Sequence, residues 1–152
     1  MLLACVVAVL LAATLWPVQQ PERMALTDLS GERIATLRVE RGDRLAIELQ
    51  RSDAGWQLRY PKDAAAEDRR VQQLLAIAQA PVRDHFPAGP DPARYGLQHP
   101  QAVLQLDGLR LLFGDRDPAQ ELRYVQVGGE IRVIDDVYFN LLTLPAQHFA
   151  RD

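Results

Sequence analysis

Leu45-Ala46-Ile47-Glu48-Leu49-Gln50-Arg51-Ser52-Asp53-Ala54-Gly55-Trp56-Gln57-Leu58-Arg59-Tyr60 is the stretch on which the fold of this chain turns. Leu45, Ile47 and Leu49 alternate with Ala46, Glu48 and Gln50, and Trp56, Leu58 and Tyr60 alternate with Gln57 and Arg59. A period of two sends apolar side chains to one face of an extended strand and polar ones to the other. Asp53-Ala54-Gly55 between the runs has turn chemistry, so the stretch reads as antiparallel strands with one buried and one wet face.

Upstream, Gly42-Asp43 is a second turn, Ile34 to Val39 another strand run, and Met24-Ala25-Leu26 a first short one before Ser30-Gly31. Downstream the period changes. Pro61 ends the strand, Asp63 is the expected N-cap, and Glu67 and Asp68 sit near a helix start, where acids are favoured. Val71, Leu74, Leu75 and Ala78 fall at i, i+3, i+4 and i+7, and Pro81 closes the helix. Pro87, Pro90 and Pro92 predict an irregular loop from Pro81 to Pro100, with a short turn at 93–97. Two hairpins follow, Val103–Leu106 with Leu109–Phe113 about Asp107-Gly108, and Tyr124–Val127 with Ile131–Ile134 about Gly128-Gly129. Val137 to Leu144 reads as a short terminal helix. The expected class is α+β: a mostly antiparallel sheet of meanders and hairpins packed on one central helix, within a single domain at 24–152.

Residues 1–18 carry no charged side chain, and the first is Glu22. The run is apolar on all sides, and as a helix it spans about 27 Å, close to a hydrocarbon core. Trp16 stands where an interfacial indole rests, Pro17 stops the helix, and 19–23 form a linker. A cleaved signal peptide needs a basic n-region and a small-x-small site, so an uncleaved transmembrane anchor is preferred. Leu2-Leu3-Ala4-Cys5 resembles a lipobox but precedes the apolar region, and a buried core helix is the third reading.

With 152 residues, 48% apolar and 24% charged, the chain has material for one domain with a real core. A net charge of −3 offers no global field for nucleic acid, so no nucleic-acid partner is expected. Cys5 is the single cysteine, which rules out an intrachain disulfide and a cysteine-based metal site. Lys62 is the one lysine; the other basic residues are arginines.

One succession of residues has a wider echo: Trp56-x-Leu58-x-x-Pro61, Val71-x-x-Leu74-Leu75, Tyr95-Gly96-Leu97-x-x-Pro100, Phe113-Gly114, then Tyr124-Val125 before a hairpin. In that order they resemble the bacterial family described as "domain of unknown function 4340", over about residues 24–149. The resemblance implies an envelope protein with an N-terminal membrane segment and brings no catalytic residue. Each residue also has a plain role. Trp56 is expected to fill the core beneath the helix, Gly96 to permit a turn after Tyr95, and Gly114 to end the strand carrying Phe113.

Few residues carry a recognisable chemical pattern. Asp84-His85 are an acid–base pair only in sequence and read as solvated loop residues, while His99 precedes Pro100 and His148 lies near the C-terminus. No histidine spacing suits zinc. Asp115, Asp117 and Glu121 surround Arg116 and read as a solvated loop in preference to a calcium site. No Gly-x-Ser-x-Gly elbow or phosphate loop is present. No catalytic residue, metal or cofactor is therefore assigned. The expectation is a single-pass bacterial inner-membrane protein with a periplasmic, non-catalytic domain that binds or scaffolds another envelope protein. Its interaction surface is placed on the 82–100 segment, with Phe86, Tyr95 and His85. The alternative is a small-molecule, glycan or lipid binding module that stacks its ligand on Trp56, Tyr60 or Tyr95; a hydrolase comes last.

Overall fold

The structure, a computed structural model, describes residues 23–152; the apolar segment and most of the linker lie outside the described residues. Nine strands form one antiparallel sheet: β1 (Thr36–Arg41), β2 (Arg44–Ser52), β3 (Gly55–Tyr60), β4 (Ala64–Ala65), β5 (Val82–Pro87), β6 (Ala102–Leu106), β7 (Leu109–Asp117), β8 (Leu122–Val127) and β9 (Glu130–Asp135). Helices α1 (Asp68–Leu75) and α2 (Phe139–Leu142) are short. The strand order is β4-β3-β2-β1-β6-β7-β8-β9-β5, so the mostly antiparallel α+β class holds.

The meander read from residues 45–60 forms as expected, with Leu37 paired to Leu49, Val39 to Ile47 and Leu49 to Leu58. Together with Leu104, Leu106, Leu111, Phe113 and Val125 these residues make the main core, which Val71, Leu74 and Leu75 of α1 also enter. Each aliphatic side chain so buried contributes about 1.5–3 kcal/mol. Asp107 and Gly128 take the positive φ that their hairpin turns require, at 50° and 58°.

Four boundaries differ from the sequence expectation. Met24–Leu26 is not a strand; Ala25 makes a single bridge to Pro81. The helix begins at Asp68, behind Glu67, and Asp63 instead pairs with Arg59 at 3.2 Å. The intervening Ala64–Ala65 is drawn into the sheet as β4, which leaves no helical role for Asp63. The helix period runs on past Leu75, but the chain tightens to a 3-10 turn at Ala76–Gln79. At the C-terminal end, 137–144 is a 3-10 turn at Asp136–Tyr138 followed by α2.

The largest difference is the 82–100 segment. Val82–Pro87 is no loop but the edge strand β5, paired to β9 with Phe86 opposite Ile131. Pro87 closes the strand, a position that tolerates a residue without an N–H. Residues 88–101 must then reach β6, four places away in the sheet, and they do so across the face opposite α1. Ala88 N donates to Gly129 O at 2.9 Å, the Tyr95 ring lies on Tyr124 of β8, and Gln101 N donates to Phe113 O of β7 at 2.8 Å. Leu97, Val103, Ile131 and Val133 are buried but stand outside the main core, as a small second apolar layer on this crossover's side.

Gly114 also departs from expectation. It does not end its strand; it lies inside β7, where the crossover passes. A Cβ there would run into the Tyr95 carbonyl oxygen and meet Leu97 at 3.0 Å. Gly96 does serve the expected turn, at φ 68°.

Arginines fix the loops to this frame. Arg51 donates to Ile34 O and Gly31 O at 3.0 and 2.8 Å, Arg70 to His148 O at 2.8 Å and Arg132 to Leu26 O at 2.6 Å. Arg41 donates to Leu142 O at 2.7 Å and to Leu144 O. These four arginines satisfy backbone carbonyls that a loop would leave without partners.

Candidate functional site

The crossover creates the site. Where it leaves β5 and passes over β8, Tyr95 is laid between Phe86 and Tyr124, with ring centroids 5.3 and 4.8 Å away and planes tilted by 49° and 57°. Phe86 and Tyr124 face the same side because Phe86 pairs with Ile131, which pairs with Gln126, two residues from Tyr124. Beside these rings opens a cleft of about 550 Å³. Leu122 and Val133 complete its apolar wall, and Arg83, Asp84, Arg94, Asp117 and Gln120 complete its polar one.

The charges on the wall are not equally free. Arg83 is held by Asp135 through two hydrogen bonds, at 3.2 and 2.8 Å, and that carboxylate raises the Arg83 pKa through the bond first and its charge second. Arg94 lies with its guanidinium carbon 5.5 Å from the Tyr95 ring centre. One Asp84 oxygen accepts from His85 N at 2.8 Å and one Asp117 oxygen from Ala119 N at 2.8 Å, which fixes both carboxylates at the rim. Desolvation lifts the Tyr124 phenol above its ordinary pKa, and the Asp117 and Tyr95 charges push the same way.

Of the residues singled out from sequence, Phe86 and Tyr95 come together in this cleft. His85 does not join them; it lies on the other side of β5, its Nδ1 3.8 Å from Glu130. Trp56 is 3% exposed in the main core, with Arg51 4.9 Å above its ring, so it offers no face to a ligand. Its neighbour Tyr60 is 42% exposed, at the far end of the sheet from Tyr95. Around Arg116 the acids are engaged locally, with Arg116 2.8 Å from Glu121 and 3.4 Å from Asp136. Among the described residues no group of three His, Cys, Asp or Glu side chains is placed to hold a metal ion.

Sequence reasoning does not single out Tyr124, Arg94 or Asp117 as site residues. Their sequence signal is present but faint: Leu122, Tyr124 and Gln126 alternate with the core-facing Val125 and Val127, which marks a second face with something to cover it. It misses Arg123 as well. That residue is 5% exposed and donates to Asp136 at 2.6 Å, Gln101 at 3.1 Å and Gly114 O at 2.7 Å, with its guanidinium 3.6 Å from the Phe139 ring centre. The arrangement ties β8 to β7, to the end of the crossover and to α2.

Comparison with known families, with curated proteins and with solved structures returned no match. Among the described residues no helix is long and apolar enough to cross a membrane.

Proposed function

We propose that the chain is a membrane-tethered, non-catalytic envelope domain that binds another envelope protein, and that it does so along β5 and the aromatic cleft beside it. The observation that carries this reading is the juxtaposition of a sheet edge with partly exposed aromatic rings. β5 pairs with β9 alone among the described strands, and Phe86, Tyr95 and Tyr124 open next to it. An extended segment added to such an edge gains main-chain hydrogen bonds, and an adjoining pocket reads its alternate side chains.

The opposite edge is protected. β4 has two residues, Ala66 bridges Ala150, and Arg151 N donates to Ala65 O at 2.8 Å. Sheets blunt edges in this way to avoid pairing with other chains. The charge-free run at 1–18 and the ordered motifs that resemble the envelope family support the tether, the inner-membrane location and the periplasmic placement of the domain. Ligand stacking on Trp56 loses its support with that ring's burial, while Tyr60 and Tyr95 keep accessible rings; the sheet edge beside the cleft is what sets the protein-binding reading ahead of a small-molecule, glycan or lipid module.

The test is site-specific photo-crosslinking of the full-length protein in its native host, with the probe at position 85 on β5 or at position 62 beside β4. One envelope protein is expected from position 85, absent from position 62 and lost when residues 1–18 are deleted. No crosslink from position 85, or the same crosslinks from both positions, overturns the proposal.

A further inference from the structure

We infer that the cleft beside β5 receives a cationic side chain, arginine or lysine, carried by an extended segment of the partner protein. The inference rests on the edge-docking reading above and adds the chemistry of what is recognised. Three observations converge. The rings of Phe86, Tyr95 and Tyr124 line the cleft, and aromatic quadrupoles attract cations. The chain already sets a guanidinium against this wall, since Arg94 lies over Tyr95. The charge balance then decides the sign. Arg83 is neutralised by Asp135, so Arg94 alone faces Asp84 and Asp117, and neither of those carboxylates forms an ion pair among the described residues.

An anionic side chain would have to detach Arg83 from a two-point contact with Asp135 and then lie against two fixed carboxylates. A cation meets no such cost. Strand geometry fits as well. Asp84 pairs with Val133 and Phe86 with Ile131, so both carry their side chains to the cleft's face of the sheet. A strand added to β5 directs every second side chain to that face, at a spacing of about 6.8 Å. One long side chain is thereby aimed at the cleft, where Arg94 acts as an internal competitor for the ring faces.

The test uses the full-length protein in detergent and three labelled, capped octapeptides of alternating threonine and valine. They carry a central arginine, a glutamate or the neutral norleucine, and fluorescence anisotropy reads binding. The arginine peptide is expected to bind roughly tenfold more tightly than the norleucine peptide, and the Asp84→Asn/Asp117→Asn variant to abolish that preference. Arg94→Gln is expected to strengthen the arginine peptide roughly threefold, because it removes a like charge and a competitor together. These side chains lie at the surface, and near-UV circular dichroism matching the parent verifies that each variant is folded. A preference for the glutamate peptide, or weaker arginine-peptide binding by Arg94→Gln, overturns the inference. Equal binding of all three peptides overturns it while leaving edge docking in place. Failure of all three to bind removes both.

Discussion

Substituting Gly114→Ala tests the crossover, the feature on which the site depends. The φ of Gly114 is not left-handed, so the substitution carries no intrinsic backbone strain; its effect is steric. The added methyl would collide with the Tyr95 carbonyl oxygen and stand 3.0 and 3.1 Å from the Leu97 side chain. Backbone cannot rotate out of the way as a long side chain can, so the 88–101 segment must lift from β7. Overpacking of this kind costs about 1–3 kcal/mol. Lifting Tyr95 also loosens its contacts with Phe86 and Tyr124, worth about 0.5–1.5 kcal/mol each. We expect a net destabilisation of about 3 kcal/mol, which for a domain of this size lowers Tm by roughly 10 °C. Gly129→Ala is the matched control. Nothing lies within 4 Å of the point where its methyl would stand, so its effect should stay within about 0.5 kcal/mol. Thermal unfolding followed by circular dichroism compares the two, with near-UV tyrosine signals reporting on the aromatic row. A Gly114→Ala protein as stable as the Gly129→Ala control would refute the close packing of the crossover on β7.

Arg123→Met should cost about 2–3 kcal/mol in denaturant unfolding, because it leaves Gly114 O and Gln101 without their buried donor and Asp136 with Arg116 as its remaining cationic partner. Asp107→Ala removes an acceptor shared by Ala35 N, Thr36 N and the Thr36 hydroxyl, and should lower stability by about 2 kcal/mol; Asp107→Asn, which keeps an acceptor and tolerates φ 50°, should recover most of it by the same measurement. Tyr124 has a raised pKa in the fold, so the folded chain holds that proton more tightly than the unfolded one. Its contribution to stability is complete below the ordinary phenol value and is lost as pH climbs through the raised one. Ultraviolet titration should show Tyr124 ionising late, and Asp117→Asn should bring it earlier; an unchanged Tyr124 titration would remove Asp117 as a contributor.

What sequence reading catches and misses follows from the range of the forces involved. The hairpins around Asp53-Ala54-Gly55, Asp107-Gly108 and Gly128-Gly129 are local, and period-two alternation beside turn residues is enough to find them. β5 has no such help. Its partner β9 lies more than forty residues downstream, three of its six residues are charged or histidine, and prolines follow it, so it looks like loop. Asp63 misleads because capping chemistry is local too, whereas the pairing of Ala64 with Leu58 is tertiary and wins. Phe86 and Tyr95 are found by their residue type in a proline-rich stretch. Tyr124, which completes the row, could not be placed with them because nothing local reveals that the 88–101 segment lies across β8.

One topological fact therefore ties the fold to the proposed activity. A chain that leaves the sheet at its outermost strand and re-enters at β6 has to cover three strands, and in doing so it builds a second apolar layer, demands glycine at 114 and sets Tyr95 between Phe86 and Tyr124. Beyond Val82, the same route leaves β5 with no second strand beside it among the described residues. At Val82 itself, Ala25 bridges Pro81 and Met24 O accepts from Val82 N at 2.8 Å, so Met24 lies beside the first residue of β5. On the proposed reading, a tether that enters there holds the docking edge on the membrane-proximal side of the domain. Confinement of both proteins to one membrane then raises their effective concentration, and modest affinity at the cleft suffices for capture. Moving the tether to the C-terminus, beside β4, should keep the affinity for an isolated peptide unchanged while weakening capture of a membrane-bound partner. Equal capture from both tether positions would mean that attachment beside β5 has no bearing on binding.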